Sequence, residues 1–245
     1  MRLQYIRDKF EEPCRQPPRF FRDAAQYRRM HRPGTKFPYR FASIWPCFTD
    51  YSDQSGVAEG HYFHQDLLVA RAIFTRKPTR HVDIGSRVDG FVAHLLTFRE
   101  VEYVDIRPLK STTPGLKFIQ SDATDLAEFE SNSLESLSTL HAAEHFGLGR
   151  YGDPIDPDAC FRYMGSLERV LAPGGVLYFS VPVGIERLEF NAHRVFAPAT
   201  IVDIFKALRL LRFSAVRDDG KLYTDIVPNS VSNDHYACGI FEFSK

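Results

Sequence analysis

From about residue 60 onward the chain alternates short apolar runs with stretches of helical periodicity, and this restricts it to stacked βαβ units around a mainly parallel sheet. The spacing predicts a helix over 62–75, where Phe63, Leu67, Ala70 and Phe74 recur and Pro78 follows. Strands are predicted at 81–85, 101–106, 116–122, 133–143, 175–183, 210–217 and 236–244. Helices are predicted at 89–98, at 157–171 before Pro173 and Gly174, and from Pro198 to about Ala207, with a short one near Leu126. The fold class expected is α/β, an open, doubly wound sheet of seven strands.

The first part of the chain does not follow this pattern. Residues 1–40 carry eleven Lys and Arg against four Asp and Glu, although the whole chain balances 31 against 31. Two readings stand: a solvated arm on an acidic body, or contact with an anionic partner such as a phosphorylated substrate or a membrane surface. Prolines break the segment, so residues 1–55 are expected to be a basic N-terminal arm and 56–245 the α/β domain. Zero net charge gives no reason to expect nucleic acid. No uncharged apolar run is long enough for a membrane span, and no hydrophobic core follows the basic start, so a cytoplasmic location is expected. Cys14, Cys47, Cys160 and Cys238 form no CxxC pair, which argues against a disulfide framework and a cysteine zinc site.

The stretch HVDIGSRVDGFVAHLL (81–96) runs from an apolar strand through a glycine turn into a helix. Ligands of a parallel α/β sheet sit beyond the carboxyl ends of its strands, and a glycine there lets them approach the backbone. Gly85 and Gly90 are spaced GxxxxG, which does not match the GxGxxG dinucleotide pattern, and no Gly-Lys-Ser/Thr follows. Asp105, 20 residues beyond Gly85 at the end of the second strand, is placed to accept from both hydroxyls of a ribose. Asp122 ends the third strand, where a carboxylate can accept from an exocyclic amine. Two carboxylates without a basic loop residue suit an adenosine-bearing ligand that lacks a pyrophosphate and carries positive charge.

At this point the chain resembles a family. VDIGSRVDG, YVDI with Asp105, FIQSDATDL with Asp122, HAAEHFGLGRYGDPID and LERVLAPGGVLYFSVP are similar to motifs of the class I S-adenosylmethionine-dependent methyltransferases. HYFHQD, GLGRYGDPID and FNAHRVF resemble, more closely, a subgroup catalogued as a domain of unknown function. The resemblance implies a Rossmann-like seven-stranded sheet whose last strand is antiparallel, with S-adenosylmethionine as cofactor. It also implies Gly85 and Ser86 against the methionine part, Asp105 against the ribose, and Asp122 with Ala123 against the adenine. Arg87 departs from the GxG often found in the first turn; Asp89 behind it either faces the cofactor's amino group or caps the following helix. Tyr62, Gln65 and Asp66 share a helical face that the family often lays over the cofactor.

His141, Glu144 and His145 also spell HxxEH, the signature of inverted zinc peptidases. That chemistry needs the motif within a helix and a third protein ligand, whereas here it ends a strand-like run and Gly147, Gly149 and Gly152 follow. Glu144 and His145, as neighbours in extended chain, point in different directions. In the methyltransferase reading, His141 faces the cofactor and Glu144 the acceptor, and no metal is expected. An alcohol acceptor must lose a proton to a base; His145 is the first candidate and His193 the second. Arg150, Tyr151 and Arg194 are candidate acceptor contacts, and the Gly147–Asp158 loop is expected to form part of the acceptor site and to be more mobile than the strands. The function expected is methyl transfer to a small-molecule or glycan acceptor, at oxygen. The alternatives are a zinc hydrolase using His141, Glu144 and His145, and a noncatalytic S-adenosylmethionine-binding regulatory module.

Overall fold

The structure, a computed structural model, describes residues 17–32, 34, 36–48, 51 and 54–245. The chain divides into two units, Met1–Val57 and Ala58–Lys245. In the first, residues 17–30 are helical (α1). Arg19 lies 3.6 Å from Asp23 one turn on and stacks 4.0 Å over the Tyr51 ring. None of the described residues of this unit is buried, so by itself it has no core. Arg2, Arg7, Lys9, Arg15 and Cys14 lie outside the described residues.

The second unit is the doubly wound α/β domain. Its strands are β1 (Val82–Ile84), β2 (Val101–Asp105), β3 (Leu116–Gln120), β4 (Leu134–Leu140) and β5 (Leu171–Val183), then β6 (Arg187–Glu189) and β7 (His193–Val195), and finally β8 (Arg209–Val216), β9 (Leu222–Tyr223) and β10 (Ala237–Ser244). The main sheet has the order β3-β2-β1-β4-β5-β10-β8-β9. The first five of these are mutually parallel, and β10 runs antiparallel to both β5 and β8. The expected antiparallel final strand is therefore present, and the eighth strand is the two-residue edge piece β9. β6 and β7 form a separate antiparallel hairpin that the apolar pattern did not announce.

Side-chain alternation along the strands builds a core on each face of the sheet. Leu177, Phe179, Val181, Phe241 and Phe243 point to one face, where α4 (Ala159–Val170) and α5 (Pro198–Ile204) pack. Val176, Tyr178, Cys238 and Ile240 point to the other, against α2 (His61–Arg76) and the segment after β1. That segment starts as a π-turn, Val88–Val92, and continues as α3 (Ala93–Leu96). Each fully buried Phe contributes roughly 1.5–3 kcal/mol of apolar burial. Several expected elements differ, two of them here. No helix forms near Leu126, which sits in a turn with φ 47°. β5 begins at Leu171, directly after α4, so Pro173-Gly174-Gly175 forms a register break within the strand instead of preceding it. No helix of the described residues is long and apolar enough to cross a membrane.

Candidate active site

The parallel strands β1 to β4 deliver their carboxyl ends to one edge of the sheet, and the cleft lies there. Its inner part is lined by Gly85, Asp105, Asp122, Ala123, His141, His145, Phe146 and Tyr151. Its outer part adds Tyr62, Ser86, Arg87 and Arg107. A second hollow, at the amino ends of the strands, has no glycine turn, and the paired Arg80 and Glu102, 2.7 Å apart, are part of its wall.

The glycine turn is held from below by Asp83, the central residue of β1. Its carboxylate accepts from the Ser86 amide at 3.2 Å, from the Ser86 hydroxyl at 2.7 Å and from Ser138 Oγ on β4. Ser86 Oγ in turn accepts from the Leu140 amide at 2.9 Å, so one side chain fastens the turn to β4. Gly85 itself has φ 68°, and a Cβ there would stand 3.1 Å from that of Ala142. Burial raises the Asp83 pKa to about 7 in spite of these three bonds. The native state thus keeps a proton on Asp83 between about pH 4 and about pH 7, where the unfolded chain has released it, so this group makes stability fall as pH rises through that window. Asp83→Asn should therefore show a shallower decline than wild type in urea unfolding across that range. Parallel pH profiles for the two proteins would show that Asp83 is ionised in the fold.

Arg87, where a glycine is common, folds back over Gly90. A Cβ on Gly90 would lie 2.5 Å from Arg87 Nε and 2.6 Å from Asp66 Oδ2, so the glycine makes room for this cluster. The guanidinium is 3.9 Å from Asp66, 3.3 Å from Asp89 and 4.9 Å above the Tyr62 ring. Asp89 consequently points outward, 86% exposed, and is not part of the cleft wall. Asp66, buried on α2, has its pKa raised to about 6 by burial, partly offset by Gln65 and Arg87.

Asp105 ends β2 with its carboxylate fully engaged. Oδ1 accepts from the Arg107 amide (2.8 Å) and Nε (2.9 Å), and Oδ2 accepts from Arg107 Nη2 (2.6 Å) and the Tyr103 hydroxyl (2.8 Å). Burial works against ionisation, but these bonds outweigh it and hold the carboxyl below its ordinary range. Asp122 accepts from the amide and hydroxyl of Thr124 in its own turn. Around it Val104, Ile106, Ala123 and Phe146 make an apolar wall.

β4 stops at Leu140, and the expected strand residues 141–143 leave it: His141 has φ 52°, and Ala143–His145 is a single 3₁₀ turn. That turn lets His141 Nδ1 reach Glu144 Oε1 at 2.9 Å. Burial opposes charge on both, and their mutual attraction, with the Cys238 sulfur beside the ring, prevails: His141 is raised well above the ordinary imidazole range and Glu144 is lowered. His141 Nε2 and Glu144 Oε2 are buried without a hydrogen-bond partner. Among the described residues no group of three or more His, Cys, Asp and Glu is placed to hold a metal ion.

His145 donates Nδ1–H to the Ala192 carbonyl at 2.7 Å, because a carbonyl can only accept. Its Nε2 therefore carries a lone pair, 3.7 Å from Glu144 Oε1, and burial pulls the pKa below the ordinary value. His193, on β7, lies 3.1 Å from Glu189 and packs on Tyr236, outside the cleft wall. Arg194 is spent on the carbonyls of Glu144, Phe146 and Pro157, clipping the loop to the hairpin. Tyr151 stands edge-on to His145, with two cations over its ring, Arg107 at 4.6 Å and Arg150 at 5.2 Å. The loop that carries it is organised by Asp153, which accepts from the amides of Gly147, Gly149 and Tyr151. Arg107 and Asp153 escaped the sequence reading; the Asp105-x-Arg107 spacing just past a strand end was the available signal for the first.

Comparison with known proteins matches residues 117–226 to a family described as Caenorhabditis protein of unknown function, DUF268. No curated protein matches the chain. Among solved structures, the Burkholderia thailandensis 1,6-didemethyltoxoflavin-N1-methyltransferase, crystallised with 1,6-didemethyltoxoflavin and S-adenosylhomocysteine, superposes with a TM-score of 0.52 at 14% identity, over 74% of this chain and 79% of that one. The [4+2]-cyclase SpnF gives 0.54 at 12% identity over 78% and 88%. The YcgJ protein of Bacillus subtilis gives 0.50 at 14% over 74% and 98%. At these identities the likeness is one of fold.

Proposed function

We propose that this chain, built on the class I S-adenosylmethionine-dependent methyltransferase fold, transfers a methyl group from S-adenosylmethionine to a small-molecule or glycan acceptor, at oxygen. A cyclase shares the fold, so the reading rests on the cleft and not on the topology. The observation that carries it is the gathering of Gly85, Asp105, Asp122, Ala123 and His145 around one cleft. The residues present suit the cofactor. The apolar wall of Val104, Ile106, Ala123 and Phe146 fits a nucleobase, Gly85 admits close approach, and Asp105 is an acceptor for ribose hydroxyls. The His141 ring lines both parts of the cleft.

When bound, the cofactor supplies an electrophilic methyl on a sulfonium. The chain's part is alignment and proton removal. An acceptor hydroxyl held beside His145 would give up its proton to Nε2, the ring nitrogen that the Ala192 carbonyl leaves unprotonated. The imidazolium so formed is stabilised by Glu144, 3.7 Å away. His141 is tied through Nδ1 to Glu144, so it is read as a binding group and not as the base.

Calorimetry with S-adenosylmethionine, S-adenosylhomocysteine and NADH tests this reading: the first two should bind and NADH should not. Asp105→Ala should weaken S-adenosylhomocysteine binding by about 1.5–3 kcal/mol, the range for a hydrogen bond to a charged group. Unchanged affinity in a folded variant would mean that Asp105 does not hold the ribose.

A further inference from the structure

A carboxylate offers about four acceptor positions, and Asp105 has four donors on it: the Arg107 amide, Nε and Nη2, and the Tyr103 hydroxyl. A ribose, which must donate two hydroxyls to the same carboxylate, can do so only by displacing one of these groups. The Arg107 amide is fixed in the turn after β2, and Tyr103 is 2% exposed in the core. The guanidinium is the group free to leave, since the Arg107 side chain is 50% exposed.

Its next contact is already made. The Arg107 guanidinium stacks on Tyr151, the ring that Arg150 also approaches, and Arg150 has a single hydrogen bond among the described residues, from Nη1 to the Ala192 carbonyl. Among the described residues, neither of the other carboxylates lining the inner cleft has an arginine on it. Asp122 is held by Thr124, and Asp153 by three backbone amides. Displacement would leave two arginines on one aromatic ring of the cleft wall, an arrangement that suits an anion.

Building on the cofactor reading above, we infer that Arg107 is the acceptor-recognition residue of this cleft: the ribose displaces its guanidinium from Asp105, and with Arg150 it then grips an acceptor bearing a carboxylate or a phosphate. Binding is consequently ordered, nucleoside first. The same side chain that competes with the cofactor selects the acceptor, so the chain holds its anionic substrate firmly only when the methyl donor is in place.

Calorimetry tests this with S-adenosylhomocysteine as the nucleoside and with inorganic phosphate and malonate as separate anion probes. Arg107→Ala and Arg107→Gln, each checked for fold by circular dichroism, should bind S-adenosylhomocysteine about fivefold more tightly, because the internal competitor is gone. Phosphate or malonate should bind wild type at least about tenfold more tightly when S-adenosylhomocysteine is saturating, and by linkage should tighten S-adenosylhomocysteine by the same factor. Both effects should vanish in the Arg107 variants, and anion binding should fall in Arg150→Ala; the better probe identifies the acceptor's charged group. Equal S-adenosylhomocysteine affinity in wild type and both Arg107 variants, or anion binding indifferent to the nucleoside, would overturn the inference alone. Failure of wild type to bind S-adenosylhomocysteine at all would overturn the cofactor reading and this inference with it.

Discussion

His145→Ala should slow methyl transfer by about 10²- to 10⁴-fold, the usual worth of a positioned general base, and leave S-adenosylhomocysteine affinity nearly unchanged. The expectation follows from three features of one ring. The Ala192 carbonyl fixes the Nδ1–H tautomer, burial favours the neutral imidazole, and the ring lines the cleft with Nε2 carrying the lone pair. Because the pKa lies below the ordinary 6.5, the base form already dominates at neutral pH. Turnover in wild type should rise with pH through a midpoint below about 6.5 and then stay level. Labelled S-adenosylmethionine offered to a panel of hydroxy acids, sugar phosphates and glycans would supply the rates. If the acidic limb persists in His145→Ala with most of the activity, another group takes the proton.

Gly147→Ala should cost about 3 kcal/mol or more and lower the melting temperature by about 6–12 °C. Gly147 has φ 76°, and a Cβ on it would stand 1.8 Å from the Asp156 carbonyl oxygen, an overlap that no side-chain rotation relieves. Gly152 provides the control. Its φ is 87° but nothing lies within 4 Å of the added Cβ, so Gly152→Ala meets conformational strain alone, about 1 kcal/mol. Urea unfolding separates the two, and equal losses would mean that the Gly147 contact is not maintained in solution. Trypsin cleavage at Arg150 should also quicken in Gly147→Ala, because the amides gathered on Asp153 lose their arrangement.

What could be read in advance was whatever is encoded locally. The apolar runs of β1, β2, β4 and β10 are short and bounded, so their order along the chain announced the sheet. Gly85 and Asp105 were legible because a strand end followed by a glycine, or by an acid at a set distance, is a property of sequence spacing. The hairpin β6–β7 was not. Its strands have three residues each, and Leu188 points to solvent, 56% exposed, so no apolar face marks them. Leu126 looked helical by type, yet its left-handed backbone is imposed by a turn whose carbonyls Arg169 collects from more than 40 residues away. The filling of Asp105, the fold of Arg87 over Gly90 and the capture of Arg194 by three carbonyls are likewise decided by partners that only tertiary structure brings together.

The position of β10 bears on how the domain comes into being. It follows every other strand of the main sheet in sequence, yet it lies inside the sheet, zipped to β5 along one edge and to β8 along the other. A nascent chain on the ribosome that has reached only Asp234 holds β5 and β8 about two strand widths apart, each with a bare edge and neither able to pair with the other. The aromatic interior that Phe241 and Phe243 complete stays open to water for that whole interval. Closure of this sheet therefore waits for the arrival of eight residues, and until then the growing polypeptide offers two sticky edges to any neighbour or chaperone that meets it.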